Sequence, residues 1–302
     1  MKIVISGGTG FVGSHLCRHF LDQGHEVCAL GSRSEFNLFA GQDNFTYQQA
    51  DTTRPGPWQD ALKSAELIVN LAGRTIFHRW TAAYKQQLLD SRILTTRNIV
   101  AALGPGQKST QKPILISASA VGYYGDRGDD ELSENEPAGD DFLARLAVQW
   151  EEEALKAAAG ARVIRVRLGI VLGRGGGALA SMLPAFKSYM GGVLGSGRQW
   201  FPWIHMDDAV AALDFLLAHG RNREVFNLCS PDPVQNKTLT RTLGRIVGKP
   251  TVMSVPSFML KMAAGELASV LLASTRALPA NLLASGFKFR YSDLEKALKN
   301  LI

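Results

Sequence analysis

Three glycines spaced three residues apart, Gly7, Gly10 and Gly13 in the run MKIVISGGTGFVGSHL, suit one piece of chemistry: cradling a diphosphate. The first frees the backbone for a tight turn, the second lets a phosphate approach the main chain, and the third lets a helix pack closely on a strand. The helix that follows offers orphan amide donors and the positive end of its dipole to the phosphates. A second set, Gly31, Ser32 and Arg33, stands at the end of the next apolar run. A carboxylate there favours a free ribose 2′-hydroxyl, whereas an arginine accommodates a 2′-phosphate. The expectation is therefore NADP(H) rather than NAD, although Glu35 close by leaves open the plainer reading of Arg33 as a surface charge. A third set, Arg198, Gln199, Trp200, Trp203 and His205, supplies a cation, stacking surfaces and a titratable ring suited to an anionic or nucleotide-like substrate. Here too a second reading stands: IHMDDAV also reads as a strand end before a helix capped by Asp207 or Asp208, and the tryptophans serve equally well as core.

The elements that would position these residues follow from apolar periodicity. Lys2 to Ser6 is a short β-branched run, and Val12, Leu16, Phe20 and Leu21 recur at helical spacing before Gly24. With the strand HEVCAL this makes a βαβ unit of about thirty residues, the context in which a glycine trio acquires meaning. Further apolar runs at ELIVNLAG, PILISAS and RVIRVRLGIVL alternate with the helical patterns LLDSRILTTRNIVAAL and FLARLAVQWEEEALKAAA. Alternation of this kind implies an α/β protein with a doubly wound, Rossmann-type parallel sheet. After about residue 170 turn residues and aromatics dominate. The expected division is a nucleotide-binding domain over residues 1–170 with a return segment at about 203–228, and a smaller C-terminal substrate lobe from 171–202 and 229–302.

Composition narrows the function classes. With 46% hydrophobic and 20% charged residues in 302, the chain is that of an ordinary globular protein large enough for a sizeable core. The net charge of +6 comes from scattered basic residues without a run, which argues against nucleic acid as a partner. Cys17, Cys28 and Cys229 sit in apolar runs without metal-ligand spacing, so buried thiols and no metal site are expected. The stretch FMLKMAAGELASVLL is interrupted by Lys261, Gly265 and Glu266 before the roughly twenty apolar residues a membrane span needs. No leader-like segment precedes the first strand, so the expected home is a bacterial cytoplasm, with an organelle left open.

Taken together, GGTGFVG, the NLAG of Asn70 to Gly73, ISASAVGYYG from Ile116, RLGIVLGRGGG from Arg167 and PWIHMDDAV from Pro202 resemble the extended or atypical short-chain dehydrogenase/reductase superfamily. More narrowly, the SRxxTT and WEEEA motifs, GSGRQWFPWIHMDD and the closing RALPANLLASGFKFRYSDLEKAL are similar to bacterial epimerase family proteins, related to sugar-nucleotide epimerases. The resemblance covers nearly the whole chain, and the last segment resembles that family's C-terminal extension. It implies Gly7, Thr9, Gly10, Phe11, Val12 and Gly13 around a pyrophosphate, and Leu71, Ala72, Gly73 and Arg79 toward the ribose and nicotinamide. It also implies Asp51 at the adenine and Ile170 beside the nicotinamide. A homodimer is implied on the same ground.

Relatives of this kind act with a serine, a tyrosine and a lysine four residues after the tyrosine, whose charge lowers the phenol pKa. No tyrosine of this chain has a lysine four residues on. Ser119 matches the serine, and Tyr123 and Tyr124 follow in a glycine-flanked loop, so these three are the catalytic candidates. A tyrosine of pKa ~10 without an ammonium beside it is a poor base at neutral pH. Two functions are thus expected in competition: an NADP(H)-dependent oxidoreductase or epimerase acting on a small, sugar-nucleotide-like molecule, and an NADPH-binding sensor with little or no turnover.

Overall fold

The computed structural model describes residues 1–104, 112–221, 224–251 and 253–302. Among them, seven strands form one parallel sheet: β1 (Lys2–Ser6), β2 (Glu26–Gly31), β3 (Phe45–Gln49), β4 (Leu67–Asn70), β5 (Ile114–Ala120), β6 (Arg162–Leu168) and β7 (Glu224–Leu228), in the order β7-β6-β5-β4-β1-β2-β3. The chain runs outward one way from β1 through β2 to β3, then returns to lay β4 on the other side of β1. That reversal is the switch point at which open α/β sheets bind ligands beyond the carboxyl ends of their strands.

Alternation along the strands covers both faces. Ile3 and Ile5 pack with Leu16 and Phe20 of the helix Phe11–Asp22 and with Leu213 and Leu216 of the helix Met206–His219. Val4, Ile68, Leu115 and Val163 pack on the opposite face with Ile99 of the helix Ala82–Ala102 and Ala154 of the helix Phe142–Leu155. Strands buried on both sides read as continuous apolar runs, which is why they stand out in the sequence.

The run RVIRVRLGIVL, a single apolar stretch in the sequence, divides at Gly169 into β6 and the short strand Ile170–Gly173, which leaves the main sheet and pairs in parallel with Trp203–His205. A Cβ at Gly169 would lie 2.6 Å from the carbonyl oxygen of Pro202, so only glycine allows this crossing. β3 and β7, the sheet's two edge strands, were not among the expected elements. Short two-stranded ladders join 192–194 to 253–255, 200–201 to 234–235 and 131–132 to 276–277. The apolar stretch near residue 260 breaks into the helices Ser257–Ala264 and Leu267–Leu272. Among the described residues, no helix is long and apolar enough to cross a membrane.

Candidate nucleotide and reaction site

At the carboxyl end of β1 the chain turns at Gly7, whose φ of 79° lies in the left-handed region. The turn is closed on three sides. A Cβ at Gly7 would lie 2.9 Å from the backbone of Leu71 and Ala72, one at Gly8 2.7 Å from the Cβ of Ala29, and one at Gly13 only 2.2 Å from the carbonyl oxygen of Gly7. Gly10 is different: its Cβ would meet only the Gly7 oxygen, at 3.1 Å. It is the N-cap of Phe11–Asp22 and supplies no side-chain acceptor, so the first-turn amides remain available to an anion.

These residues open into a cleft of about 610 Å³ lined by Thr9, Gly10, Phe11, Ser14, His15, Arg33, Glu35 and Phe36, and, from the far side, by Arg174 to Gly176. Arg33 and the glycine turn therefore share one cavity. Arg174 was missed by sequence reasoning; the glycine density of GRGGG was the available signal. The glycines there make room for the ring of Phe11: a Cβ at Gly176 would lie 2.3 Å from its Cδ2, one at Gly177 2.6 Å from its Cε1 and one at Gly173 2.8 Å from its Cζ. The Arg174 guanidinium donates from Nε, at 3.1 Å, to the carbonyl of Asn300 at the end of the helix Leu294–Leu301.

The other residues expected at the cofactor lie at various points of the same edge. Ser32 continues β2 at the surface beside Arg33. Val12 stands in the first turn of the helix after Gly10, half-buried against the sheet core. Asp51 is exposed and ties itself to Thr53, whose hydroxyl holds the carboxyl below its usual range, with Arg54 adding to this. Leu71 is bonded through its amide to the Ser6 carbonyl at 2.8 Å, and Ala72 donates to the Asn70 side chain at 3.4 Å. Gly73 lies against the guanidinium of Arg92, Arg79 is exposed, and Ile170 is half-buried opposite Trp203.

The three catalytic candidates meet a buried polar network. Ser119, at the carboxyl end of β5, donates to Glu151 at 2.8 Å. The same carboxylate takes two hydrogen bonds from Arg167, at 2.7 and 3.0 Å, and one from Arg165 at 2.9 Å. Arg167 also donates to the Tyr124 hydroxyl at 2.9 Å, and that hydroxyl donates to Asn227 at 2.8 Å. Burial alone would depress the Arg167 guanidinium; the hydrogen bonds and charge of Glu151 reverse this and hold it above the ordinary arginine value. Burial pushes the Tyr124 phenol up to about 12 despite Arg167. Tyr124 is fully enclosed, which removes it from any cleft, whereas Tyr123 is half-buried with its ring centroid 3.4 Å from Cζ of Arg167.

The set expected to line the substrate side divides. Arg198 is exposed, and Trp200 is half-buried, donating to Asp129 at 2.7 Å under the guanidinium of Arg276. Gln199 is buried, its amide donating to the Leu194 carbonyl. Trp203 and His205 belong to the interior: both are buried, the indole donating to the Asp232 carbonyl. Of the two readings of IHMDDAV, the capped helix holds, but the cap is His205 itself and not Asp207 or Asp208. Its Nδ1 accepts from the Asp207 amide at 3.0 Å, its other nitrogen meets Asn300 at 3.1 Å, and the ring stacks 3.8 Å from Tyr291. Asp208 instead accepts the amides of Arg290 and Tyr291.

Comparison with known proteins agrees with this geometry. The NAD dependent epimerase/dehydratase family model matches residues 3–229, and a domain of unknown function (DUF1731) matches residues 255–301. The Bacillus subtilis epimerase family protein YfhF is 39% identical over 305 residues, spanning 100% of this chain and 98% of its own. The chloroplastic epimerase family protein SDR39U1 homolog of Arabidopsis thaliana is 35% identical over 100% of this chain and 87% of its own. A crystal structure of human epimerase family protein SDR39U1 (isoform 2) with NADPH superposes with a TM-score of 0.85 at 30% identity, covering 100% and 99% of the two chains. A glycine turn at the switch point of a seven-stranded parallel sheet, and a family match across most of the chain, lead to one conclusion: this protein belongs to the NAD dependent epimerase/dehydratase family, with the C-terminal DUF1731 extension.

Proposed function

We propose that the protein binds NADP(H) across the carboxyl edge of the sheet and acts as an oxidoreductase or epimerase on a small molecule seated between β5 and the segments after residue 170. The observation that carries the reading is the single cleft shared by the Gly10 turn and Arg33. The residues present fit a dinucleotide: the open approach at Gly10 and the uncapped first turn suit its pyrophosphate, and Arg33 with Arg174 suits a 2′-phosphate. A bound nicotinamide would supply two-electron reduction or oxidation of a substrate carbon. The chain's own contribution is to orient and to move a proton. Ser119 is fixed by Glu151, and Tyr123, half-buried with its ring on Arg167, carries the phenol that would meet a substrate oxygen.

The human relative's NADPH supports the phosphorylated cofactor. The test is calorimetric titration of wild type and Arg33→Ala with NADPH and NADH. Wild type is expected to prefer NADPH, and Arg33→Ala to lose about tenfold or more of that preference with NADH affinity little changed, the scale of one charge-assisted contact to phosphate. Equal binding of both forms by wild type overturns the assignment.

A second reading, a nicotinamide-cofactor sensor without turnover, is favoured by one observation: the hydroxyls of Ser119 and Tyr124 are both engaged inside the Glu151–Arg167 network. Tight NADPH binding together with silence at the nicotinamide absorbance across sugar nucleotides and simple carbonyls would favour it over the enzyme.

A further inference from the structure

Arg92, on the helix Ala82–Ala102, is half-buried, and its guanidinium lies between the loop after β4 and Trp150. A Cβ at Gly73 would stand 3.0 Å from its Cζ, and its ring contact with Trp150 is 5.3 Å to the centroid. Its donors are taken by uncharged acceptors: the carbonyls of Leu88, at 3.2 Å, and Arg74, at 3.0 Å, with the Ser91 hydroxyl at 3.5 Å. Among the described residues, no carboxylate lies within 4.0 Å of it, in contrast to Arg97, Arg165 and Arg167, each of which meets a glutamate. Desolvation pulls the guanidinium down to about 10, still protonated at neutral pH. Glu151, which follows Trp150 on its helix, is itself outnumbered by Arg165 and Arg167, so that cluster brings no net negative charge to this side of the sheet.

A dinucleotide with its adenosine half in the Arg33 cleft at β1 and β2 would extend across the switch point toward the carboxyl ends of β4 and β5, where Gly73 and Ser119 lie. The oxidised nicotinamide ring carries a positive charge there and the reduced ring none. We propose that Arg92 is an uncompensated positive charge beneath the nicotinamide half of the site and makes the protein prefer the reduced cofactor over the oxidised one. The proposal rests on the NADP(H) reading above. Like charges about 10 Å apart at an effective dielectric near 20 repel enough to shift a binding ratio by about tenfold.

The experiment titrates NADPH and NADP⁺, at one ionic strength, into wild type, Arg92→Lys and Arg92→Gln. Wild type is expected to bind NADPH about tenfold tighter than NADP⁺. Arg92→Gln should lose most of that ratio, chiefly by gaining affinity for NADP⁺, while Arg92→Lys retains it. A merely structural role for Arg92 would weaken both forms together and leave the ratio unmoved. The proposal is overturned by wild-type affinities within about twofold of each other, by a ratio unchanged in Arg92→Gln, or by a ratio lost equally in Arg92→Lys. Should Arg92→Gln not fold, Arg92→Met, which removes the charge and keeps an unbranched stem against Trp150, is read by the same ratio, and a ratio unchanged there overturns the proposal. Failure of wild type to bind either dinucleotide would instead mark failure of the parent reading.

Discussion

At Gly13 the fit is measured in tenths of an ångström, since one methyl group there would press to 2.2 Å on the Gly7 oxygen. The obstacle is backbone, which yields only by moving the turn. Gly13→Ala should therefore cost about 1–3 kcal/mol in denaturant unfolding and weaken NADPH binding at least tenfold, whereas the more open Gly10 position should cost less stability for the same change. His205 gives a pH dependence. Burial lowers the folded pKa of the imidazole below its ordinary 6.5, with Asp207 opposing, so the unfolded chain binds the proton more readily. The cap's contribution is complete above about pH 6.5 and is lost as pH falls toward the folded value. Protonation also removes the acceptor at Nδ1 that holds the Asp207 amide. Unfolding between pH 7.5 and 5 should show this loss in wild type and a shallower one in His205→Asn, which can cap without titrating.

Between elements, Glu151 joins the helix Phe142–Leu155 to β5 and β6 through Ser119, Arg165 and Arg167. Removing it takes the carboxylate from Arg167, whose side chain is only 3% exposed and keeps only the uncharged Tyr124 hydroxyl and Glu134 carbonyl as acceptors. Glu151→Ala should be destabilised by about 3–5 kcal/mol in chemical denaturation, and Glu151→Gln by less because the hydrogen bonds partly persist. This partnership was not legible in the sequence, where WEEEA reads as a helical charge run. Ser119 and Glu151 are 32 positions apart, and nothing local to either says which of the three glutamates meets the serine, since Glu153 is buried as well. The strand, turn and helix at residues 2–22 were legible because the β-branched run, the glycine spacing and the helical period all lie within one short stretch, even though Ala29, Leu71 and Ala72 complete the turn. The strands β1, β2, β4, β5 and β6 were legible because burial on two faces makes them largely apolar, with β6 still recognisable between its arginines. β7 was not, since EVFNL is short and lies after a helix in a turn-rich region. Trp203 and His205 left two readings open for the opposite reason: ring types suited to ligands are equally suited to a core, and only their neighbours decide.

Over the whole molecule, segments far apart in the chain meet at one cleft, and the C-terminal helix braces it through Arg174. The opening turn supplies Gly10 and Phe11, the middle supplies Arg174, and Asn300 holds both the Arg174 guanidinium and the His205 ring. The ring of Phe11, sunk among Gly173, Gly176 and Gly177, has a consequence for how occupancy is felt at a distance. An anion drawn onto the amides of the first helical turn immobilises that ring, and the ring in turn restrains a loop whose Gly175 and Gly177 sit at positive φ. Linkage is reciprocal, so whatever quiets one partner must quiet the other. Saturation with NADPH should slow amide hydrogen exchange at 173–177 as well as at 9–13, and Phe11→Ala should uncouple the two, leaving protection only at the turn.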